Sequence, residues 1–392
     1  MADNAQALYD LASRLAAEFA PRAASHDRSG EFPFENIAQL KESGYSALLV
    51  PQRYGGLGAD LLQFIGCQER LAQGCAATTL AINMHLFGIG SMLDFADFNP
   101  RQERFLRQIG HDRQIIGGGL SEPETGGDWG LFATKARLSG DHFVLNGRKV
   151  FTSLAPVIDL FMVLATIEDD GPPSSATFFI PRGTAGLEIV ESWDAMGMRA
   201  TASHDLKLTD VKVPVSDMTG RRPLGPIGAE TVSLFAWFSL SIAAIYTGIA
   251  IAALDFTRAF AAHHRPLTQP RPISFLPAVQ FAVAQAQTLV AQSQALYRDT
   301  AQAYQTSRAS FEGEAGLARV VMVKYAATNN ALAAIEQCAE VVGAHGFLRR
   351  HPLERMLRDV HAGIHHPLSN ARARELIGKS AFGIPLLTFP RW

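Results

Sequence analysis

Three cysteines in 392 residues, Cys67, Cys75 and Cys338, are too few to staple a fold. They show no metal-type spacing, so no metal site is expected. They read as buried thiols in a reducing compartment, which places the protein in the cytoplasm. An excess of one charge is also missing. The 35 Lys and Arg against 37 Asp and Glu leave a net charge of −2, which excludes bulk attraction to nucleic acid or an anionic membrane surface. There is no internal repeat and no low-complexity tail. The N-terminal MADNAQALYDLASRL reads as an amphipathic helix with acidic residues, not a secretory leader. One apolar run, TVSLFAWFSLSIAAIYTGIAIAALDF, is long enough to span a bilayer. It lies mid-chain and continues into TRAFAAHHR, with no second run of its kind. It reads as a helix buried in a large helical core, and no membrane is expected.

What is present points to a well-buried globular chain, with 47% hydrophobic and 18% charged residues. The length exceeds one core and predicts two or three layers or subdomains. Residues 1–112 read as an N-terminal helical domain, with apolar residues at three- and four-residue spacing in ALYDLASRLAAEF and ENIAQLKESG. Residues 113–225 change character. Short runs rich in Val, Ile, Phe and Thr, such as HFVLNGRKVF, IDLFMVLATI and DLKLTDVKVP, predict an antiparallel β-domain. Asn146-Gly147 reads as its hairpin turn. Residues 226–392 return to helix, in Ala-rich segments at 229–264, 276–307 and 313–342, and predict a C-terminal four-helix bundle. The fold class is therefore α+β, with helices on either side of a β-domain. A cleft between such layers suits a planar cofactor.

Three segments, in order, give that cofactor a name. LSEPETGGDWG followed by HFVLNGRKVFTS, then AMGMRATASHDLKLTDVKVP, then EVVGAHGFLRRHPLERMLRDV resemble the conserved segments of the acyl-CoA dehydrogenase family. The resemblance spans the whole chain and implies a flavin, FAD before FMN. A flavin ring needs a flat apolar wall and polar groups at its edge. The resemblance assigns Phe151 to the wall, Ser153 to the N5 edge, and Leu120 and Ser121 to the pyrimidine side. It assigns Gly126 and Gly127 to close approach of the ribityl-phosphate arm. It places Gly343 and Ala344 in a loop that packs on the adenosine half of FAD from a neighbouring subunit. Arg265 becomes the pyrophosphate arginine, with Arg271 competing. The family's Arg-x-x-Phe-Gly is absent here, and Glu340 stands where glutamine is common.

The largest departure is in HAGIHHPLSNARAREL, residues 361–376. The family removes an α-proton with a carboxylate while hydride leaves the β-carbon for flavin. Counting from Arg358-Asp359, the usual glutamate falls at His366-Pro367. A smaller branch carries it near Phe238, where AWFSLSIAAIY holds no acid. Glu375 lies eight residues past Pro367, about 12 Å along a helix, and reads as an exposed ion pair with Arg372. His365 and His366 are then the candidate bases, since a histidine accepts a proton near neutral pH. The bland alternative is a helix-entry turn, with Pro367 in the first turn and Ser369 or Asn370 as cap. HHPL with Ser153 also resembles the flavin monooxygenases of the same fold, which receive reduced flavin from a reductase and use O2. His85, in the apolar NMHLFG, is a candidate for the substrate pocket or for a satisfied core position.

Three readings follow. The first is dehydrogenation of an acyl thioester, with an electron-transfer flavoprotein as partner. The second is a two-component monooxygenase fed by a flavin reductase. The third is a flavin-binding or oligomeric scaffold without catalysis. A small-molecule substrate, with acyl-CoA among the candidates, and a homodimer or homotetramer are expected.

Overall fold

The computed structural model describes residues 2–125, 132–169, 171–172, 174–223 and 227–388. Gly126 and Gly127 lie outside the described residues. Five helices come first: α1 (Ala2–Ser29), α2 (Phe34–Glu42), α3 (Leu61–Gly74), α4 (Ala76–Leu93) and α5 (Pro100–Gly110). Their starts are written in the sequence. Asp60 and Gln63 form a reciprocal capping box on α3, and Asn99 caps α5 ahead of Pro100.

The middle region forms an eight-stranded sheet of β1 (Ile116–Gly119), β2 (Lys135–Ser139), β3 (His142–Thr152), β4 (Leu160–Glu168), β5 (Ser174–Pro181), β6 (Leu187–Val190), β7 (His204–Pro214) and β8 (Met218–Pro223). The order is β6-β7-β3-β2-β4-β5-β8, with β1 also on β4. The sheet is mixed rather than wholly antiparallel. β1 and β2 both pair in parallel with β4, β1 along Leu160–Val163 and β2 along Thr166–Glu168. The hairpin turn is also not at Asn146-Gly147. It is Gly140-Asp141, between Ser139 and its partner His142. Asn146-Gly147 lies inside β3 at a register shift against β7. There Asn146 exchanges two hydrogen bonds of 2.9 Å with Asp210. A Cβ at Gly147 would fall 2.4 Å from Thr134 Oγ1, so the glycine serves a close strand crossing instead of a turn.

The C-terminal region has α6 (Ala229–His263), α7 (Pro277–Thr306), α8 (Gly313–Val342), α9 (Leu353–Val360) and α10 (Asn370–Ala381). The three long helices match the Ala-rich segments within about two residues, and α10 packs on α8 as the fourth. The most apolar helix, α6, is buried over 89% of its most apolar window. A second helix, α4, is also long and apolar enough to cross a membrane, which the sequence reading missed. It is 78% buried, and both are core helices against which the sheet and the outer helices pack.

Candidate active site

Between the sheet, α4, α6 and the segment after α9 lies a cavity of about 760 Å³. Its walls are mostly apolar, with Met84, Phe87 and Met92 from α4 and Leu234 and Phe238 from α6. Leu120, Ser121, Phe151, Ser153, His365 and His366 all line it. Six of the sequence-chosen residues are therefore brought to one space from three separate segments.

The sheet side is pre-shaped. Phe151 and Leu154 sit at φ 60° and 67°, a left-handed backbone that bulky residues adopt only when the surroundings enforce it. The enforcing bonds are Leu154 N–H to Thr201 O at 3.1 Å and Ser153 N–H to Phe151 O at 3.0 Å. The turn leaves the Phe151 ring 64% exposed, with Trp193 edge-on at 6.2 Å. An unpartnered aromatic face beside an apolar cavity fits a flat ring system. Ser153 adds a directed polar group. Thr201 donates to Met198 O at 3.0 Å, so Ser203 donates to Thr201 at 2.7 Å and Ser153 to Ser203 at 2.8 Å. With one proton per hydroxyl, this chain leaves the Ser153 lone pairs unspent. The residues present fit an isoalloxazine edge.

The neighbouring strand end is locked by a buried ion pair. Lys149 Nζ donates to Glu122 Oε1 at 2.6 Å with both side chains fully buried, and Glu122 also accepts from Thr134 N at 2.9 Å. Burial pushes the Glu122 carboxyl up, but the bonds from Lys149 and Thr134 outweigh it and hold it below its usual range. Glu122 follows Ser121, and Lys149 is two residues before Phe151, so one pair fixes both sides of the candidate flavin edge.

The loop 193–203 is tied down from the helical side. Asp359, buried on α9, accepts from Met198 N at 2.6 Å, and burial raises its carboxyl to about 6. Arg358 donates to Met196 O at 3.0 Å and pairs with Asp27 at 2.6 Å and Glu354 at 2.9 Å. Its positive charge is thereby covered although it lines the cavity.

His366 faces Tyr246, whose hydroxyl lies 2.8 Å from Nε2. Burial, with the charges of Lys324 and His365, lowers its imidazole to about 3. Lys324 is fully buried on α8 and donates to the carbonyls of His366 and Leu368, both at 3.0 Å. No carboxylate pairs with it among the described residues, and burial lowers its ammonium to about 7. His365 is exposed at the cavity wall. A third histidine, His361, also lines the cavity, with Nδ1 2.6 Å from Leu357 O.

His85 takes the core position that was one of its two readings, and Arg265, Gly343 and Ala344 lie away from this cavity. His85 does not line the cavity. It is fully buried, its Nε2 donates to Ser46 O at 2.9 Å and its Nδ1 accepts from Ile116 N at 3.0 Å. Burial lowers it to about 4, so a neutral ring joins α4 to the start of β1. Arg265 is exposed, bonded to Gln269 O at 3.2 Å, and Gly343 and Ala344 are exposed in the 3-10 turn Gly343–Phe347. None of the three lines the cavity of its own chain. Glu375 does pair with Arg372, at 3.1 Å, and with Lys379 at 2.9 Å, but its carboxylate is only 6% exposed and is not a cavity residue. Among the described lining residues the one carboxylate is Glu230, exposed and 3.7 Å from Arg222.

The sequence reading missed His361, Tyr246, Lys324 and Trp193. Two signals were available. His361 and His365 are four apart, on one face of a helical turn. Lys324 is the one charge in VVMVKYAATNNALAA, an apolar stretch.

Comparison with known proteins follows this geometry. Family profiles match over nearly the whole chain: acyl-CoA dehydrogenase N-terminal domain at residues 2–109, middle domain at 117–211 and C-terminal domain at 240–371. A putative acyl-CoA dehydrogenase, YdbM of Bacillus subtilis, is 35% identical over 358 residues, covering 90% of this chain and 91% of that protein. A 3-(aryl)acrylate reductase of Clostridium sporogenes is 30% identical over 361 residues, covering 90% and 92%. The structure of KijD3 with FMN and dTDP-3-amino-2,3,6-trideoxy-4-keto-3-methyl-D-glucose superimposes with a TM-score of 0.88 at 26% identity, covering 97% of this chain and 94% of that one.

Proposed function

The chain belongs to the acyl-CoA dehydrogenase family and is a flavin-dependent oxidoreductase, and from that premise we propose that its cavity oxygenates a small, largely apolar molecule with reduced flavin and O2. The observation that carries this reading is that no carboxylate stands, among the described residues, where the family takes the α-proton of a thioester. A carboxylate base has to reach that proton from within the cavity. The position counted from Arg358-Asp359 offers His366 and Pro367, and His366 is a poor base at about 3. Glu230 is exposed at the rim and opposed by Arg222. A cavity walled by Met84, Phe87, Leu234 and Phe238 suits an uncharged reactant.

In this reading Phe151 and Trp193 wall the ring of the cofactor, while Ser121 and Ser153 meet its polar edge. The two electrons that split O2 between product and water come with the bound reduced flavin. Neutral His366 and Tyr246 form a hydrogen-bonded wall that does not carry a proton, and the apolar face opposite excludes water from the substrate. We read the cofactor as FMN. KijD3, which this chain resembles at 26% identity, holds FMN; Arg265, Gly343 and Ala344 lie outside the cavity of their own chain, where residues serving the FAD of a neighbouring subunit would also lie, so they do not separate the two flavins. A flavin reductase is the partner this reading requires. Exposed Phe275, Phe281 and Phe347 on the C-terminal region support a homo-oligomer, and three buried unpaired thiols support a cytoplasmic location.

Dehydrogenation of an acyl thioester is the second reading, favoured by the 35% identity to a putative acyl-CoA dehydrogenase. An anaerobic titration separates the two. Flavin-loaded protein is mixed with acyl-CoA thioesters of graded length, and the flavin absorbance is followed. No bleaching is expected, whereas a reductase, NADH and 18O2 are expected to place labelled oxygen in an apolar substrate. Bleaching by a thioester would overturn the oxygenase reading.

A further inference from the structure

We propose that His361 is the acid–base residue of this cavity, moving protons at Nε2. The inference rests on the oxygenase reading for the identity of the step, and on geometry for the residue. Three histidines line the cavity. His366 has Nε2 taken by Tyr246. His365 is exposed, and no bond to a described residue fixes its ring. His361 alone is both oriented and available. Its Nδ1 is 2.6 Å from Leu357 O, four residues back at the end of α9. A carbonyl oxygen only accepts, so Nδ1 carries the proton and the lone pair of the neutral ring is on Nε2. Nε2 has no hydrogen-bond partner among the described residues. The bond to a helix backbone also limits rotation of the ring, which is the arrangement a proton-transfer group needs.

Two charged residues of α9 close to His361 in sequence are already engaged. Arg358, one turn earlier, is covered by Asp27 and Glu354, so its charge is largely neutralised. Asp359 is on the same short helix but is occupied by Met198 N.

Substrate, O2, two electrons and two protons give the oxygenated substrate and water. The O–O bond breaks, one oxygen bonds to the substrate, and the other leaves as water. Reduced flavin, when bound, would supply the electrons. Nε2 of His361 takes up one of the two protons from solvent and passes it to the departing oxygen, which returns the ring to its neutral form.

Two measurements test the assignment. The first does not depend on turnover. Diethyl pyrocarbonate acylates accessible unprotonated ring nitrogens, and peptide mass spectrometry locates the adducts. His361 is expected to react in flavin-free protein and to be protected by FMN, while His366 stays unmodified. A His361 that does not react, or that FMN does not protect, overturns the proposal. The second uses His361→Asn, whose amide keeps a donor for Leu357 O but has no base at the Nε2 position. Turnover is expected to fall by roughly 10² to 10⁴-fold with FMN affinity little changed, and added imidazole is expected to restore part of the activity of His361→Ala. Near-normal turnover in His361→Asn, or no rescue of His361→Ala, overturns the role. If oxygenation is absent, the proposed function fails, and His361 stands as the acid–base group only if it is reactive and FMN-protected and His361→Asn also slows the bleaching of flavin by a thioester.

Discussion

Lys324 supplies a prediction whose size follows from burial alone. The ammonium is fully buried, donates to two carbonyls and faces no carboxylate among the described residues. Burial lowers it from its usual 10.5 to about 7. A lowered lysine means that the folded chain gives up the proton first. Between pH 7 and 10.5 the unfolded chain therefore holds more protons, and stability rises with pH. Read downward, the stabilisation is full above 10.5 and is lost as pH falls through about 7. The full span of 3.5 units corresponds to about 5 kcal/mol, and the part between pH 7.5 and 9.0 to about 2 kcal/mol. Asp359 at about 6 and His85 at about 4 act below that window, and Cys67, raised from 9.0 to about 12, begins to act at its upper edge and does so equally in wild type and variant. Lys324→Met keeps the length of the side chain and removes the titrating group. Urea unfolding of the flavin-free protein at the two pH values, wild type against variant, gives the slope. The wild type is expected to gain about 2 kcal/mol more than the variant on going to pH 9.0. Equal gains would refute the claim that Lys324 is a buried, uncompensated cation. The slope is the diagnostic quantity, because the variant also leaves two carbonyls without a donor, which shifts its stability at every pH.

Two further perturbations probe the sheet side of the cavity. Phe151→Ala removes the exposed ring that walls the candidate flavin site, so flavin affinity measured by fluorescence titration is expected to fall about ten- to a hundredfold, the equivalent of burying one aromatic side chain. The flavin-free variant should unfold close to the wild-type midpoint, since the ring is 64% exposed there; unchanged flavin binding would count against the site. Glu122→Ala leaves Lys149 charged and fully buried, and is expected to cost about 3–5 kcal/mol by denaturant unfolding. A double Glu122→Met, Lys149→Met variant should recover most of that, and failure to do so would show that the hydrogen bonds Glu122 accepts from the Ala133 and Thr134 N–H groups dominate over the charges.

The bounds of the long C-terminal helices were readable because the Ala-rich periodicity of 229–264 is local; Asp60 with Gln63 and Asn99 with Pro100 act just as locally, and the sequence reading passed over them. The strands were readable as strands, but their pairing was not. The parallel contacts of β1 and β2 with β4 depend on a long-range meeting that no local alternation encodes. Asn146-Gly147 misled for a similar reason. A dipeptide that favours a turn in isolation was recruited to a close crossing with Thr134, and Asp210 took over the asparagine side chain. At the site, Phe151, Ser153 and Ser121 were legible through family resemblance. Their meeting with His365 and His366 was legible only as an expectation, because it joins residues more than 200 positions apart in the chain. His85 shows the limit of reading polarity in an apolar run. The same pattern arises when a histidine satisfies two backbone groups in a core, and only the partners Ser46 and Ile116 distinguish the cases.

The three cavity histidines also differ for a connected electrostatic reason. Lys324 lies beneath the 366–368 backbone, and its charge is the second cause, after burial, that keeps the His366 imidazole neutral. A proton placed on His366 would lack hydration and sit close to a buried cation, so that position holds geometry better than it holds charge. Tyr246 completes the neutral pair. The proposed proton transfer is placed along the segment at His361, where the charge of Arg358, one turn earlier, is already matched by Asp27 and Glu354. The carboxylate that a thioester dehydrogenase would use is missing from this segment, and what replaces it is a division of labour. One histidine is kept neutral to shape the wall, and another, oriented by Leu357 O, has a free nitrogen for the chemistry.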